Sequence, residues 1–263
     1  MYKYIFCDLD GTLFDDDKNI SQENVGAISR AENLGVSFIP CTGRLPYCLI
    51  DYIKPLKPSD YVSTNGSIVV HDGDFIQNIT MAKEDALKVI NYAEEYNLST
   101  RVFTKDYLYI VNNTDAMWSY QKQKEIDWLE LHEILKEKEV VKIVFILDKG
   151  YTKVAKDIAN MNLNIEISYS SDIFLEINAI GIDKGKGIKK YCDALNININ
   201  EVIGIGDNGN DIPMLKTVGF PCCPNNAIDE VKQICKYVSP YTNNQSAIAD
   251  IIKNCALADL PKK

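Results

Sequence analysis

Two short segments at opposite ends of the chain share one plan: an apolar run of strand length that stops at aspartates beside a glycine. The first reads Tyr4-Ile5-Phe6-Cys7-Asp8-Leu9-Asp10-Gly11-Thr12-Leu13, and the second Val202-Ile203-Gly204-Ile205-Gly206-Asp207-Asn208-Gly209-Asn210-Asp211. A short continuous apolar run bounded by turn residues is the pattern of a strand buried on both faces, which belongs to a parallel sheet. Open sheets of that kind gather their chemistry at the carboxyl ends of the strands. Asp8 and Asp10 stand at one such end, and two neighbouring carboxylates are costly there unless a cation or a proton separates them. Alone, the pair fits a solvated turn just as well. The second segment adds weight: Asp207 ends its strand, and Asp211 lies one helical turn further on. If the two strands are neighbours, Asp8 and Asp207 reach one point, and the carboxylates form a cage for an oxygen-seeking ion such as Mg²⁺.

The rest of the chain fits an α/β architecture, a doubly wound parallel-sheet core carrying an inserted α/β domain. Strands are expected at Tyr4–Leu9, Val36–Cys41 and Tyr61–Thr64, with helices at Ser21–Leu34 (Ser21 capping, Gly35 stopping) and Pro46–Ile53. Strand and helix in alternation imply a parallel sheet covered on both faces. The middle of the chain changes character. A hairpin turns at His71-Asp72-Gly73-Asp74, and a helix is expected at Lys83–Tyr96. Short strands follow near Arg101 and at Tyr107–Val111, then a polar helical stretch. Further on come strands at Val140–Leu147, Ile165–Tyr169 and Phe174–Ile177, with a helix at Tyr151–Met161. Alternation returns with helices at Lys184–Leu195 and Asn208–Val218 around the strand Val202–Ile205, then helices at Ala227–Cys235 and Ser246–Cys255. The expected division is a core of residues 1–80 and 183–263 and an insertion of residues 81–182, with hinges near Ile79–Ala82 and Asn178–Ile182.

Composition excludes several classes. With a formal charge of −9 and a pI near 4.9, the chain lacks the basic stripe that nucleic acid requires, and an anionic membrane would repel it. No apolar run reaches membrane-spanning length. The opening residues are too short an apolar stretch, too soon acidic, for a signal peptide. Of the cysteines (Cys7, Cys41, Cys48, Cys192, Cys222, Cys223, Cys235 and Cys255), Cys7 and Cys41 fall in expected strands as small hydrophobes, and none forms a C-x-x-C pair. A reducing cytoplasm is the expected setting. The oligomeric state is not legible.

Other patterns are decoys. Gly204-x-Gly206-x-x-Gly209 with Asp229 beyond it spells a dinucleotide fingerprint, but Asp207 would sit in the phosphate-cradling turn and repel a pyrophosphate. Gly185-Lys186 is followed by Gly187 rather than Ser or Thr, so the phosphate loop of nucleotide triphosphatases does not fit. His132-Glu133 lacks a second histidine at metalloprotease spacing, and the chain has only two histidines. Sequons such as Asn112-Asn113-Thr114 carry no weight without secretion. Thr42-Gly43-Arg44, after the second strand, offers a hydroxyl and successive N–H groups to phosphoryl oxygens. Lys184 opens the helix after the insertion and could neutralise the aspartates, although from composition alone a solvated lysine beside Lys186, Lys189 and Lys190 is the better reading.

Taken in order, Asp8 to Leu13, Thr42 to Arg44, Lys184-Gly185 and Gly206 to Asp211 resemble the four motifs of the haloacid dehalogenase superfamily. The long insertion, with Ser63-Thr64-Asn65-Gly66 ahead of it, resembles the Cof-like sugar-phosphate phosphatase branch with an α/β (type IIB) cap. The resemblance implies Asp8 as nucleophile and Asp10 as acid and base. It implies Mg²⁺ held by Asp8, Asp10 (through its carbonyl), Asp207 and Asp211, the last directly or through water. Thr42 and Lys184 would hold the phosphoryl group, with Leu9, Gly43, Arg44 and Asn210 also binding or orienting it. The expected partner is a small phosphorylated metabolite. The segments Phe220-Pro221-Cys222-Cys223-Pro224-Asn225-Asn226-Ala227 and Asn244–Ala249 depart from the family's usual pattern, which puts loop shape rather than catalysis in question.

Three functions compete. The first is a phosphatase of sugar phosphates or similar metabolites. The second is a phosphomutase, which needs a second phosphate clamp that Arg101, Lys105, Lys122, Lys124 and Lys142 could build. The third is a binding module without catalysis, against which every motif position is intact.

Overall fold

The computed structural model describes residues 2–49, 53–56, 58–113, 122–147, 151–171 and 173–258. Its first stretch supplies β1 (Tyr4–Cys7), α1 (Gln22–Asn33), β2 (Ser37–Pro40), the single turn α2 (Pro46–Leu49), β3 (Tyr61–Ser63), β4 (Ile68–His71) and β5 (Asp74–Asn78). The middle supplies α3 (Lys83–Glu95), β6 (Ser99–Thr104), β7 (Leu108–Val111), β8 (Gln123–Glu125), α4 (Trp128–Ile134), β9 (Val140–Ile146), α5 (Tyr151–Ala159), β10 (Ile165–Ser171) and β11 (Phe174–Ala179). The last stretch supplies α6 (Lys184–Ala194), β12 (Val202–Ile205), α7 (Ile212–Thr217), β13 (Phe220–Cys223), α8 (Asp229–Ile234), β14 (Tyr237–Val238) and α9 (Ala247–Ile251). Two compact units result. One takes Met1–Leu45, Leu49–Asn78 and Asp183–Lys263, and the other takes Pro46–Cys48 and Ile79–Ile182.

In the first unit a parallel sheet runs β14-β13-β12-β1-β2, so β1 lies between β12 and β2. Its strands are apolar on both sides because both sides are covered. Ile5, Cys7, Ile203 and Ile205 pack with Ile28 and Ala31 of α1 and Ile248 and Ile251 of α9. Phe6, Val202 and Cys223 face Ile188 and Tyr191 of α6, Met214 of α7 and Val231 of α8. Each large apolar side chain withdrawn in this way contributes roughly 1.5–3 kcal/mol. The register sets Cys7 beside Ile205 and Pro40, so Asp8, Asp207 and Thr42 all emerge at the same rim. A smaller antiparallel sheet, β3-β4-β5, lies alongside β2 through a bridge between Cys41 and Val62.

Glycines seat the helix that carries Lys184. A Cβ on Gly185 would stand 2.5 Å from the Pro213 carbonyl oxygen, and one on Gly187 2.7 Å from the Gly66 Cα. Gly66 has φ +101°, and its Cβ would lie 2.3 Å from the Asp183 carbonyl oxygen. Helix-interior glycine is costly, and here it permits backbone contact between α6 and its neighbours. Gly66→Ala should lose about 1–2 kcal/mol to left-handed strain alone, with the clash added. A melting temperature lower by about 4 °C or more is expected, at roughly 2–4 °C per kcal/mol for a unit of this size. An unchanged melt by circular dichroism would refute the close approach.

In the second unit the sheet order is β10-β11-β9-β6-β7-β8. It is antiparallel except between β7 and β8. Val102, Ile143, Phe145, Leu175 and Ile177 point to one face and pack with Ala86, Val89 and Ile90 of α3, Leu131 of α4 and Ile158 of α5. The alternate residues Arg101, Lys142, Glu176 and Asn178 are buried and polar.

Several expectations need correction. The polar stretch expected as helix contains the strand β8 before α4, since Gln123–Glu125 pair with Leu108–Ile110. Residues 114–121 of that stretch lie outside the described residues. β13 and β14 were not anticipated, because Pro221 and Pro224 give the segment the composition of a loop. The first strand ends at Cys7 rather than Leu9, because Leu9 turns back to accept hydrogen bonds from Leu13 and Phe14. The helix expected at Pro46–Ile53 is described only over Pro46–Leu49, with Ile53 in a bend and residues 50–52 outside the described residues. The helix from Ala247 widens into a π-helical turn over Ile252–Ala256. All cysteines but Cys48, whose side chain lies outside the described set, are free thiols. Among the described residues no helix is long and apolar enough to cross a membrane.

Candidate active site

Four charged side chains converge at the carboxyl rim of the sheet. Asp8 follows β1, Asp207 follows β12, Asp211 ends the 3₁₀ turn Gly209–Asp211, and Lys184 is the first residue of α6. The Lys184 Nζ donates to Asp8 Oδ1 at 2.6 Å and to Asp211 Oδ1 at 2.5 Å. Lys184 and Asp211 are fully buried, and Asp8 and Asp207 nearly so. The start of α6 is fixed by Asp183, whose side chain accepts from the Lys186 N–H at 2.8 Å. This N-cap, with the two glycines that follow, buries the lysine beside the aspartates, where the resemblance placed it and composition alone did not.

The aspartates are held by their own loops. Asp211 Oδ2 accepts from the backbone N–H groups of Asp207 (2.9 Å) and Asn208 (3.0 Å), so with Lys184 on Oδ1 both its oxygens are engaged. Thr12 Oγ1 donates to Asp207 Oδ1 at 2.5 Å. Gly11, at φ +79°, turns the chain where a Cβ would stand 2.6 Å from Asp207 Oδ2. Ligand oxygens of Asp8, Asp207 and Asp211 lie within 4.8 Å of one another.

Electrostatics follow from this crowding. Burial, reinforced by the Asp211 carboxylate, raises Asp8 well above the usual carboxylate range, and Lys184 only partly offsets it. Burial pushes Asp207 up to about 6, against the hydrogen bond from Thr12. Burial opposes the charge on Lys184, but Asp211 and Asp8 outweigh it and raise its pKa. One ammonium is therefore too little for three buried carboxylates, and the donor set is oxygen only. Both facts fit a divalent cation of the Mg²⁺ type.

Asp10 is differently placed. Arg44 grips it through Nε at 2.6 Å and Nη2 at 2.7 Å, and the Lys18 Nζ donates at 2.9 Å. Burial would raise its pKa, but these cations hold it below the ordinary value. The guanidinium of Arg44 also sits 5.5 Å from the Phe14 ring centroid. The structure thus places Arg44, expected on a phosphoryl group, on Asp10.

Thr42 is buried, and its Oγ1 accepts from the Arg44 N–H at 3.2 Å. Its carbonyl accepts from Asn65 N, and the Arg44 carbonyl from Thr64 N, both at 3.0 Å. Asn65 Oδ1 in turn accepts from Asn210 Nδ2 at 3.3 Å and lies 3.1 Å from where a Gly43 Cβ would be. Asn210 therefore meets Asn65 rather than Lys184. Leu9 is fully buried among core side chains, so only its backbone is available to a ligand.

Thr12, Asn65 and Asn226 lie in segments quoted from sequence but were given no role there, and Lys18 was not noted. Asn226 Nδ2 donates to the Gly11 carbonyl at 2.7 Å, while its Oδ1 accepts from Asn243 N at 2.9 Å. Asn243 Nδ2 donates to the Phe14 carbonyl at 3.0 Å, and Asn244 exchanges two hydrogen bonds with Asp16. The two segments that depart from the family pattern thus fasten the loop after Asp10. Their unusual asparagines were the available signal.

Three of the five cations proposed for a second phosphate clamp have other partners. Arg101 donates to Asn113 Oδ1 at 2.6 Å, Lys142 pairs with Glu176 at 3.2 Å, and Lys124 pairs with Glu130.

Comparison with known proteins gives the family and the fold. The profile of the haloacid dehalogenase-like hydrolase family matches residues 5–252. The 5-amino-6-(5-phospho-D-ribitylamino)uracil phosphatase YcsE of Bacillus subtilis is 28% identical over 256 residues, 97% of this chain and 96% of its own. A solved structure from Thermotoga maritima superposes with a TM-score of 0.85 at 24% identity, over 97% of each chain. The subclass IIB sugar phosphatase BT4131 gives a TM-score of 0.83 at 19% identity, over 97% of this chain and 99% of that one. With the fold, the paired aspartates and the buried lysine in the family's order, the chain belongs to the haloacid dehalogenase-like hydrolases.

Proposed function

We propose that the protein is a Mg²⁺-dependent phosphatase of small phosphorylated metabolites, sugar phosphates or similar, working through an aspartyl phosphate on Asp8. The observation that carries this is the Lys184 ammonium bonded to both Asp8 and Asp211, with Asp207 close enough to share an ion. Relatives named as phosphatases over nearly the whole chain support it.

In the first step an Asp8 carboxylate oxygen attacks phosphorus in line and the bond to the leaving oxygen breaks. Asp10, protonated, gives that oxygen its proton. In the second step water attacks the phosphorus of the acyl phosphate, and Asp10, now ionised, takes the water's proton, which restores both groups and releases phosphate. Asp10 must first leave Arg44 and Lys18, which hold it ionised. Arg44, once released from Asp10, would meet the phosphoryl group beside Thr42. Lys184 offsets charge on the transferring oxygens. Asp211 orients Lys184 and the Asp207 loop and would support an ion directly or through water. A Mg²⁺ ion held by Asp8, Asp207 and the Asp10 carbonyl would offset repulsion between nucleophile and phosphate.

A mutase is less well supported, since Arg101, Lys124 and Lys142 already have partners in their own unit. Selection among leaving groups is assigned to the inserted unit, and a cytoplasmic setting is proposed. A panel of phosphorylated metabolites assayed for inorganic phosphate tests the reaction. Chelation should stop release and added Mg²⁺ restore it. Full turnover under chelation would overturn the metal requirement, and no release from any monoester would overturn the phosphatase.

A further inference from the structure

At the opposite rim of the same sheet, where β1 and β2 begin, a cavity of about 430 Å³ is lined by Tyr4, Ser37, Asp60, His71, Asp72 and Tyr191 among others. His71 ends β4, and its imidazole stands between two carboxylates. Nδ1 is 2.7 Å from Asp60 Oδ2, and Nε2 is 3.6 Å from Asp72 Oδ2. Asp60 is fixed from behind. Its Oδ1 accepts from Ser59 Oγ (2.8 Å) and Asp72 N (3.0 Å), and its Oδ2 accepts from the buried Tyr191 hydroxyl. Nδ1 is thus engaged by Asp60 Oδ2, with the Tyr191 hydroxyl 3.3 Å from the same nitrogen, while Nε2 faces Asp72. Both carboxylates favour a proton on the ring, so a metal ion at Nε2 takes the place of that proton.

We propose that His71 Nε2 and the Asp72 carboxylate bind a borderline divalent transition metal of the Zn²⁺ class, with Asp60 and Tyr191 orienting the imidazole. At bonds of about 2.0–2.1 Å, two ligands of a tetrahedral ion stand about 3.4 Å apart, close to the observed gap. A carboxylate on the far ring nitrogen is the usual support for a metal-binding histidine, fixing its tautomer and ring orientation. Candidate ligand atoms of Asp60, His71 and Asp72 all lie within 4.8 Å of one another. Asp72 is largely exposed and His71 partly so, so water can complete the coordination. Imidazole nitrogen separates this site from the oxygen-only cluster at the catalytic rim, because Mg²⁺ prefers the latter and Zn²⁺ the former. The ion would tie the β4–β5 hairpin to α6 through Asp60 and Tyr191.

The chain has two histidines, so their ring resonances can be followed singly. His132 serves as the control, since its Nε2 is paired with Glu94 at 2.8 Å. The full chain, in millimolar Mg²⁺ to fill the catalytic carboxylates, is titrated with Zn²⁺. The His71 signals should shift and saturate at one equivalent while those of His132 stay. Asp72→Asn should weaken binding about tenfold or more, and Asp60→Asn about 10–100-fold. Phosphate release in Mg²⁺ should be unchanged in both. The proposal is overturned if His71 signals stay unmoved by Zn²⁺ and respond only to pH. It is overturned equally if calorimetry finds the same Zn²⁺ affinity in His71→Ala.

Discussion

Asp8→Asn should remove phosphate release by about 10⁴-fold or more while leaving the melting temperature intact. The size follows from removing a nucleophile whose loss disables the whole catalytic unit. The retained fold follows from electrostatics. Ionised Asp8 is penalised by burial and by Asp211, which is why its pKa lies well above the carboxylate range. A group raised in this way favours the folded chain in its neutral form, so an uncharged isostere removes repulsion rather than support. Lys184 keeps Asp211 as partner in the variant. Turnover assays beside thermal melts check both halves. Wild-type activity in Asp8→Asn would remove it from the nucleophile's role.

Lys184→Met should have the second-largest effect, and here activity and stability fall together. Loss of one preorganised donor to a developing negative charge costs about 10²–10³ in rate. The same change leaves Asp8 and Asp211 buried without their shared counterion, and breaking a buried pair costs roughly 3–5 kcal/mol. A divalent cation can stand in for the missing charge. Mg²⁺ should therefore raise the melting temperature of Lys184→Met by more than that of the parent. A variant as active and as stable as the parent would show that the buried ammonium has neither role.

The fold was legible where one local signal sufficed. β1 and β12 are apolar runs ended by aspartates, and α1 carries both a serine cap and a glycine stop, so pattern and structure agree. β13 was hidden because its strand is made by its neighbours. Phe220–Cys223 gains its conformation from pairing with β12 and β14, against the message of two prolines. The site divides in the same way. Asp8 and Asp207 follow from strand ends. Lys184 was picked from four lysines of one helix by the resemblance and not by composition, because its burial depends on Gly185 and Gly187 meeting residues far away in sequence. The grip of Arg44 and Lys18 on Asp10 depends on loop conformation, which no spacing reveals.

Placing β1 between β2 and β12 ties catalysis to the order of synthesis. A nascent chain that has emerged only as far as the insertion already holds Asp8, but not the strand on its other side or the lysine that neutralises it. Closing that gap is a long-range event that can occur only late. A chain that ends before Asp183 therefore lacks three of the four charged side chains that meet at the carboxyl rim, Lys184, Asp207 and Asp211.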